Sequence, residues 1–211
     1  MAYDLEEQEQ IEQLKAWWNK YGTLTLLLLS LALACVLGWQ GWNWYQNHQA
    51  AQARGYFEAL QKAATQMESD ESVVRVQAAM KTLQADFPKT DYAARAALVA
   101  AEALARDGDR AGAESSLRWL AQSAHPSFAP IARLRLAGLL LDQKKYDEAL
   151  GQLESPPTAF EGIFADRRGD ILMAKGDAKG AKAQWDRALE LLGAANPLTN
   201  IVQIKIETSG V

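Results

Sequence analysis

The sequence has few of the residues from which catalytic and metal sites are usually built. Among 211 residues there are one cysteine, Cys35, and two histidines, His48 and His125. A disulfide framework and a Cys/His site for zinc or iron are therefore excluded. No glycine-rich phosphate loop precedes a helical pattern, and no serine, cysteine or lysine has a suitable activating base. We expect a protein that is not an enzyme and that carries no cofactor.

Basic residues and helix-breaking residues are also few. The chain has 22 basic and 26 acidic residues, so it lacks the positive surplus that binding to nucleic acid phosphates requires. Six prolines and 14 glycines stand in a background rich in alanine, leucine, glutamine and charged residues. This background favours helix and disfavours a β-sandwich or a disordered chain. The composition predicts an all-α protein of one domain, with or without an appendage.

A long uncharged segment lies near the N-terminus. Residues 21–53 contain no Asp, Glu, Lys or Arg, and residues 22–39 are almost wholly apolar. Eighteen helical residues span about 27 Å, close to the thickness of the hydrocarbon core of a bilayer. Aromatic rings, which prefer the headgroup level, stand at both ends. They are Trp17, Trp18 and Tyr21, then Trp39, Trp42, Trp44 and Tyr45. The pattern predicts a single transmembrane helix in residues 21–45, between an N-terminal segment, 1–20, and a domain, 46–211.

Three other interpretations of the apolar segment stay open. A buried core helix is disfavoured by the uniform leucine content and the flanking tryptophans. A cleaved secretory signal could end near Ala34, but the apolar run continues beyond that residue. Lipoprotein processing at Cys35 would require leucine at the position that Ala32 occupies.

The basic residues near the apolar segment predict its orientation. Lys15 and Lys20 stand immediately before it, whereas the first positive charge after it is Arg54. Because cytoplasmic flanks carry the excess of lysine and arginine, the N-terminus is predicted to be cytoplasmic. In a bacterium the protein would then be a single-pass inner-membrane protein with its C-terminal domain in the periplasm. The absence of cysteine from that domain is compatible with an oxidising compartment.

Two helix faces stand out in the first 45 residues. An apolar face that runs from Ile11 to Tyr21 predicts that the N-terminal segment is an amphipathic helix, either merely solvated or a docking site for another protein. Its members are Ile11, Leu14, Trp18 and Tyr21. Inside the apolar segment, small residues at four-residue spacing form a candidate face for packing against another membrane helix. They are Ser30, Ala34 and Gly38. Small residues are common in membrane helices, so ordinary lipid exposure remains the alternative.

A repeat of about 34 residues follows the apolar segment. Four helix-forming stretches align on Ala79, Ala113, Ala149 and Ala181, at intervals of 34, 36 and 32 residues. This is the period of the tetratricopeptide repeat, a pair of helices that buries its apolar face only by stacking on neighbouring pairs. The sequence therefore predicts a tetratricopeptide-repeat-like α-solenoid of four units.

The last unit shows the repeat pattern most clearly. Gly169 occupies the position where the first helix needs a small residue, Gly176-Asp177 suits the turn between helices, and Trp185 is the large filler. After Gly193, Asn196 and Pro197 predict the start of a final helix. That helix would turn Leu198, Ile201 and Val202 inward. A strand over Val202, Ile204 and Ile206 is the alternative.

A solenoid of this kind offers a groove, lined by the first helix of each unit, that can hold a polypeptide partner. The consensus places six residues near this lining, although some of them could belong to the ordinary core. They are Leu134, Leu141, Ile163, Asp166, Asp170 and Met173. The carboxylates in this region are otherwise solvated or ion-paired surface. His125, between predicted helices, is expected to be a solvated loop residue.

Four segments carry a family resemblance that covers nearly the whole chain. They are EEQEQIEQLKAWW at 6–18, GWQGWNW at 38–44, FADRRGDILMAKGD at 164–177 and QIKI at 203–206. In these segments and in their order the sequence resembles the YfgM family of bacterial inner-membrane proteins. The resemblance implies an ancillary subunit of the Sec translocon. Such a subunit would work with PpiD, a membrane-anchored parvulin-like periplasmic chaperone, to receive emerging secretory polypeptides.

Two functional hypotheses follow. In the first, the protein is a tethered binding module whose repeats hold a chaperone or a secretory polypeptide beside the translocon. In the second, it is a membrane-tethered regulator of an envelope-stress response that acts through its cytoplasmic N-terminus, a role the resemblance also suggests. Deletion of the residues before Lys15 separates them, because only the regulator would lose its function.

Overall fold

The computed structural model describes residues 2–66 and 70–210, with side chains from residue 9 onward. Residue 1 and the side chains of residues 2–8, part of the predicted amphipathic segment, lie outside the description. Within the described residues the chain is helical and contains no strand. The helices are α1 (Ala2–Thr65), α2 (Asp70–Asp86), α3 (Asp91–Asp107), α4 (Arg110–Ala121), α5 (Ala129–Asp142), α6 (Tyr146–Gln152), α7 (Glu161–Lys175), α8 (Ala178–Leu192) and α9 (Pro197–Ser209), with a short 3-10 helix at Thr158–Phe160.

The chain divides into two compact units, Met1–Gln49 and Ala50–Val211. The first unit consists of the N-terminal part of α1, and the leucines and tryptophans among its described side chains are exposed. One window of this helix is long and apolar enough to cross a membrane, and only 6% of that window is buried within the molecule. A core helix of a soluble domain would be mostly buried. The low burial of this apolar window therefore favours the predicted membrane span over the core-helix interpretation.

The second unit is a series of stacked helices. From α2 to α9, each helix packs mainly on the next one in sequence, and α5 also packs on α7. The end of α1 joins the same core through Ala53 and Leu60, both fully buried. This nearest-neighbour packing is that of helical repeats and confirms the predicted solenoid.

The repeat register is confirmed in three of the four units. Ala113, Ala149 and Ala181 are each the fourth residue of α4, α6 and α8, and each is 0% exposed. Ala79 differs, because it is the tenth residue of α2 and only half-buried, whereas Val73 stands fourth. The alignment on Ala79 was therefore wrong, since the longer α2 begins earlier relative to its alanine.

The turns between paired helices repeat a local structure. Gly108 and Gly176 end α3 and α7 with φ of +96° and +94°. The following residues, Asp109 and Asp177, cap α4 and α8 by accepting hydrogen bonds from backbone N–H groups, each at 2.9 Å. Side-chain caps of this kind satisfy helix N–H groups that have no partner within the helix. In the α5–α6 turn, Lys144 adopts the left-handed conformation, with φ of +60°.

The predicted close approach at Gly169 is confirmed. A Cβ atom added at Gly169 would lie 2.4 Å from Cδ1 of the Trp185 ring on α8. Trp185 is 3% exposed and forms a small second core with Ala165, Ala181, Ala188 and Val202. Gly169 thus lets α7 and α8 pack at the distance that the large indole requires.

The final helix, α9, is also confirmed, and the strand interpretation was wrong. Asn196 caps α9 by accepting from the backbone N–H of Leu198. Val202 is fully buried as predicted, but Ile201 is 50% exposed. The inward orientation of Ile201 was therefore wrong, since α9 has a neighbour on one side only and Val202 alone of this pair faces it.

Candidate partner-binding groove

A groove of about 300 Å³ lies along the first helices of successive units, α3, α5 and α7, and touches α4. Its lining mixes small or apolar residues with charged ones. The lining residues are Ala101, Glu102, Ala105, Ala113, Leu117, Leu134, Arg135, Gly138, Leu139, Asp142 and Arg167. We call this set the first-helix groove. Small side chains along its floor leave room for the backbone or side chains of a polypeptide.

The lining residues occupy equivalent places on the repeated helices. The residue with positive φ in each turn, Gly108, Lys144 or Gly176, gives a common reference for counting. The sixth residue before it is Glu102 on α3, Gly138 on α5 and Asp170 on α7. The ninth position holds Arg135 on α5 and Arg167 on α7. Successive units therefore place acids of α3 and α7 and arginines of α5 and α7 at equivalent positions, whereas the ninth position of α3 holds Val99.

Ion pairs connect successive first helices along this face. Arg135 of α5 lies 3.8 Å from the carboxylate of Glu102 on α3. On α9, Nζ of Lys205 lies 2.6 Å from Asp166 and 2.7 Å from Asp170, both on α7. Burial raises the pKa of Asp166 above its ordinary value, and the hydrogen bond from Lys205 opposes that rise. The acids at the C-terminal end of this face thus already have an intramolecular partner.

The six residues predicted for the groove are not all brought together. Leu134 lines the groove, whereas Leu141 packs against the main core. Met173 packs on the second core, and Asp166 and Asp170 bind Lys205. Ile163 is half-buried on α7 and is not among the lining residues.

Sequence reasoning missed the charged part of the lining. Arg135 and Arg167 stand 32 residues apart, within the spread of the repeat intervals. Applying the repeat register to charged residues as well as to alanines would have found this pair. Gly138 carried no signal of its own, because a helical glycine is ambiguous without its neighbours.

A charge cluster on α4 fixes the neighbouring unit. Glu114 accepts hydrogen bonds from Arg118 at 2.7 and 2.9 Å and from Gln143 at 3.2 Å, and Nζ of Lys145 lies 3.5 Å away. Arg118 also binds Glu148 on α6 at 2.9 Å. The hydrogen bond from Arg118 holds the pKa of Glu114 below its ordinary value. The cluster joins α4 to the α5–α6 turn, and so holds the second helix of one unit against the next unit.

Two arginines secure the end of the short helix α6. Nε of Arg133 donates to the carbonyl of Gln152 at 2.7 Å, and Arg133 also binds the carbonyl of Glu154. Arg168 donates to the carbonyl of Leu153, and burial lowers the pKa of Arg168. Guanidinium groups suit this place because the last carbonyls of a helix lack partners and carry partial negative charge.

His125 is not the solvated loop residue that the sequence predicted. It is 7% exposed, and its Nε2 lies 2.8 Å from the carbonyl of Pro88. Its ring contacts Trp119 and Phe128. The long connection before α5 folds back on the α2–α3 turn, so a polar residue beside Pro126 becomes buried.

In the first unit, the predicted small-residue face is uncovered. Ser30, Ala34 and Gly38 are exposed, and a Cβ atom added at Gly38 would meet nothing within 4 Å. A partner helix could approach such a face closely. Among the described residues, no group of three or more His, Cys, Asp or Glu side chains could hold a metal ion.

Comparison with known proteins gives a consistent result. The tetratricopeptide repeat-like domain family matches residues 15–210. A protein of Neisseria gonorrhoeae is 31% identical over 99% of both chains. One of Haemophilus influenzae is 32% identical over 89% of this chain and 91% of its own, and one of Escherichia coli is 28% identical over 97% of both. Each of the three is named ancillary SecYEG translocon subunit. No solved structure matches the chain.

Proposed function

The chain belongs to the YfgM family of tetratricopeptide repeat-like proteins, and from that membership we propose that it is a membrane-anchored binding module of the Sec translocon. The observation that carries the proposal is the shared name of relatives that match it almost from end to end. Repeat families of this type are protein-interaction modules, and the protein is not an enzyme. Its contribution is therefore binding.

The two units divide this work. The uncovered face of Ser30, Ala34 and Gly38 packs against a membrane helix of the translocon, because small residues let helix backbones approach closely. The first-helix groove holds a polypeptide segment on the far side of the membrane. The positions of Lys15 and Lys20 support a cytoplasmic N-terminus and a periplasmic repeat domain.

The groove partners are secretory polypeptides and a PpiD-like periplasmic chaperone. A segment that has just left the translocon is extended and unfolded, and a groove lined by small, apolar and charged side chains accepts such a segment. A chaperone bound to the same solenoid would receive the segment without its diffusing away, since tethering raises the effective concentration.

Photo-crosslinking in cells tests the proposal. A photoreactive amino acid replaces Ala105, which is exposed in the groove, or Ala34 in the membrane helix. We expect secretory chains or the chaperone at Ala105 and translocon subunits at Ala34, identified by mass spectrometry.

Matched alanines supply the controls. Ala111 is exposed on α4 outside the groove, and Ala32 lies on the opposite side of the helix from Ala34. Equal adducts at Ala105 and Ala111 would refute binding by the groove. Cytoplasmic proteins at Ala105 would refute the orientation, and the absence of translocon subunits at Ala34 would refute the membrane contact.

A further inference from the structure

The face formed by the first helices carries a repeated pattern of ion pairs with one break, and that break lies in the first-helix groove. On α3 and α7, the sixth position before the helix end is acidic, Glu102 or Asp170, and a cation from the following first helix pairs with it. On α5 the equivalent residue is Gly138, which has no side chain. The following first helix nevertheless supplies its cation, Arg167. Nη1 of Arg167 lies 3.9 Å from the place where a Cβ atom of residue 138 would stand.

The guanidinium of Arg167 is only weakly engaged within the molecule. Its one ion pair among the described residues is with Asp170, at 3.7 Å, which is too long for a hydrogen bond. Both short contacts of Asp170 are made by its Oδ1, which accepts from Lys205 at 2.7 Å and from the indole N–H of Trp185 at 3.2 Å, whereas Oδ2 faces Arg167 from beyond hydrogen-bond distance. Arg167 therefore keeps donors that can bind a further carboxylate.

We propose that a carboxylate side chain of the bound polypeptide fills the space beside Gly138 and pairs with Arg167. The proposal rests on the groove being the polypeptide-binding surface, and it specifies the chemistry of the segment bound there. A guanidinium and a carboxylate can form two parallel hydrogen bonds, which fixes orientation as well as adding affinity. Leu134 and Ala105 also line the groove, and we expect apolar residues next to the acid in the bound segment to contact them.

The other charges of the groove limit the site to one acid. Glu102 is balanced by Arg106 at 2.9 Å and by Arg135 at 3.8 Å. Asp142 lies four residues after Gly138, one helical turn further along α5. A second carboxylate near Asp142 would be repelled. The preferred segment therefore carries a single Asp or Glu between apolar residues.

An array of immobilised 15-residue peptides tests this specificity. The array holds segments with one Glu between leucines, together with partners in which Gln replaces Glu. The full chain in detergent micelles is the probe. We expect the wild type to bind the Glu peptides about tenfold more tightly than their Gln partners, the effect of one charged hydrogen-bonding pair.

Three variants identify the group responsible. Arg167→Gln should abolish the preference for Glu, and so should Gly138→Glu, which places a carboxylate of the chain itself beside Arg167. Gly138→Gln is the uncharged control for the second variant. Arg110→Gln, at an exposed arginine of α4 outside the groove, should keep the preference.

The outcomes separate this proposal from the proposed function. Binding without preference for Glu, a preference that survives Arg167→Gln, or an array on which no peptide binds the protein would each overturn the carboxylate site. Crosslinks from Ala105 to secretory chains would still support the groove as a binding surface in that event. Loss of those crosslinks together with an intact Glu preference would instead overturn the cellular role.

Discussion

Two glycines on neighbouring first helices have opposite surroundings. Gly169 faces the Trp185 ring at a distance that excludes any side chain, whereas a Cβ atom at Gly138 would make only an ordinary contact with Arg167. Glycine is costly inside a helix because it loses the most backbone freedom on folding. Packing against Trp185 requires glycine at position 169, whereas no contact requires it at position 138, which faces open space in the groove.

Gly169→Ala should destabilise the fold, and Gly138→Ala should not. The added methyl group at 169 must displace a buried indole, so we expect a loss of about 1–3 kcal/mol in the free energy of unfolding. The same change at 138 should be neutral or stabilising by up to about 1 kcal/mol. Chemical denaturation followed by circular dichroism measures both. Equal effects would show that the indole can move aside without cost.

Lys144→Gly should stabilise the protein. Lys144 has φ of +60°, where its Cβ atom crowds the backbone, and the equivalent turns use Gly108 and Gly176. Removing that crowding should add about 1 kcal/mol to the free energy of unfolding. Lys144→Ala is the comparison, since alanine keeps the Cβ atom that crowds the backbone and should not gain this stability. A lower melting temperature for Lys144→Gly would contradict the argument.

At the scale of helices, local pattern determined most of what the sequence could predict. The apolar window, the alanine register of α4, α6 and α8, and the cap at Asn196 depend on neighbours in sequence, and all three were predicted. The position of His125 and the Lys205 contacts depend on which turns and helices meet in space. Residues 39 positions apart, such as Asp166 and Lys205, leave no local signal, so the pairing of the α7 acids with α9 could not be predicted.

The ion cluster around Glu114 makes the joint between two units dependent on pH. Because the pKa of Glu114 is lowered in the folded state, the cluster stabilises the fold above the ordinary value of 4.5. That contribution is lost as the pH falls through the lowered pKa. Glu114→Gln should therefore cost about 1 kcal/mol at neutral pH and nothing at strongly acidic pH.

Comparing the free energies of unfolding of wild type and variant at each pH isolates this effect. The comparison is necessary because burial raises the pKa of Asp166, so protonation of Asp166 stabilises the fold. This shifts the dependence of wild-type stability on pH in the opposite direction. Glu71→Gln is the control, since Glu71 pairs with Arg75 on the surface and its side chain is 73% exposed. A constant difference between Glu114→Gln and wild type at all pH values would show that charge is not the cause.

At the scale of the whole molecule, the repeat domain is stabilised by contacts between neighbours, and α9 closes its C-terminal end. In such arrays stability is approximately a sum of unit and interface contributions. Val202 is 0% exposed and completes the second core with Trp185 and Ala188. A defect at Val202 should therefore weaken the last unit and leave distant units intact.

Hydrogen exchange of Val202→Ser tests this locality. Replacing a buried valine with a hydroxyl group should cost about 1–3 kcal/mol and should speed amide exchange in α7 and α8, while α3 and α4 keep their protection. Ile201→Ser, at a half-exposed neighbour, should change neither. If exchange rose equally from α3 to α8, the units would unfold together, and α9 would be stabilising the whole domain rather than its last repeat. A local effect would instead mean that the groove on α3 and α5 keeps its binding geometry when its C-terminal end opens.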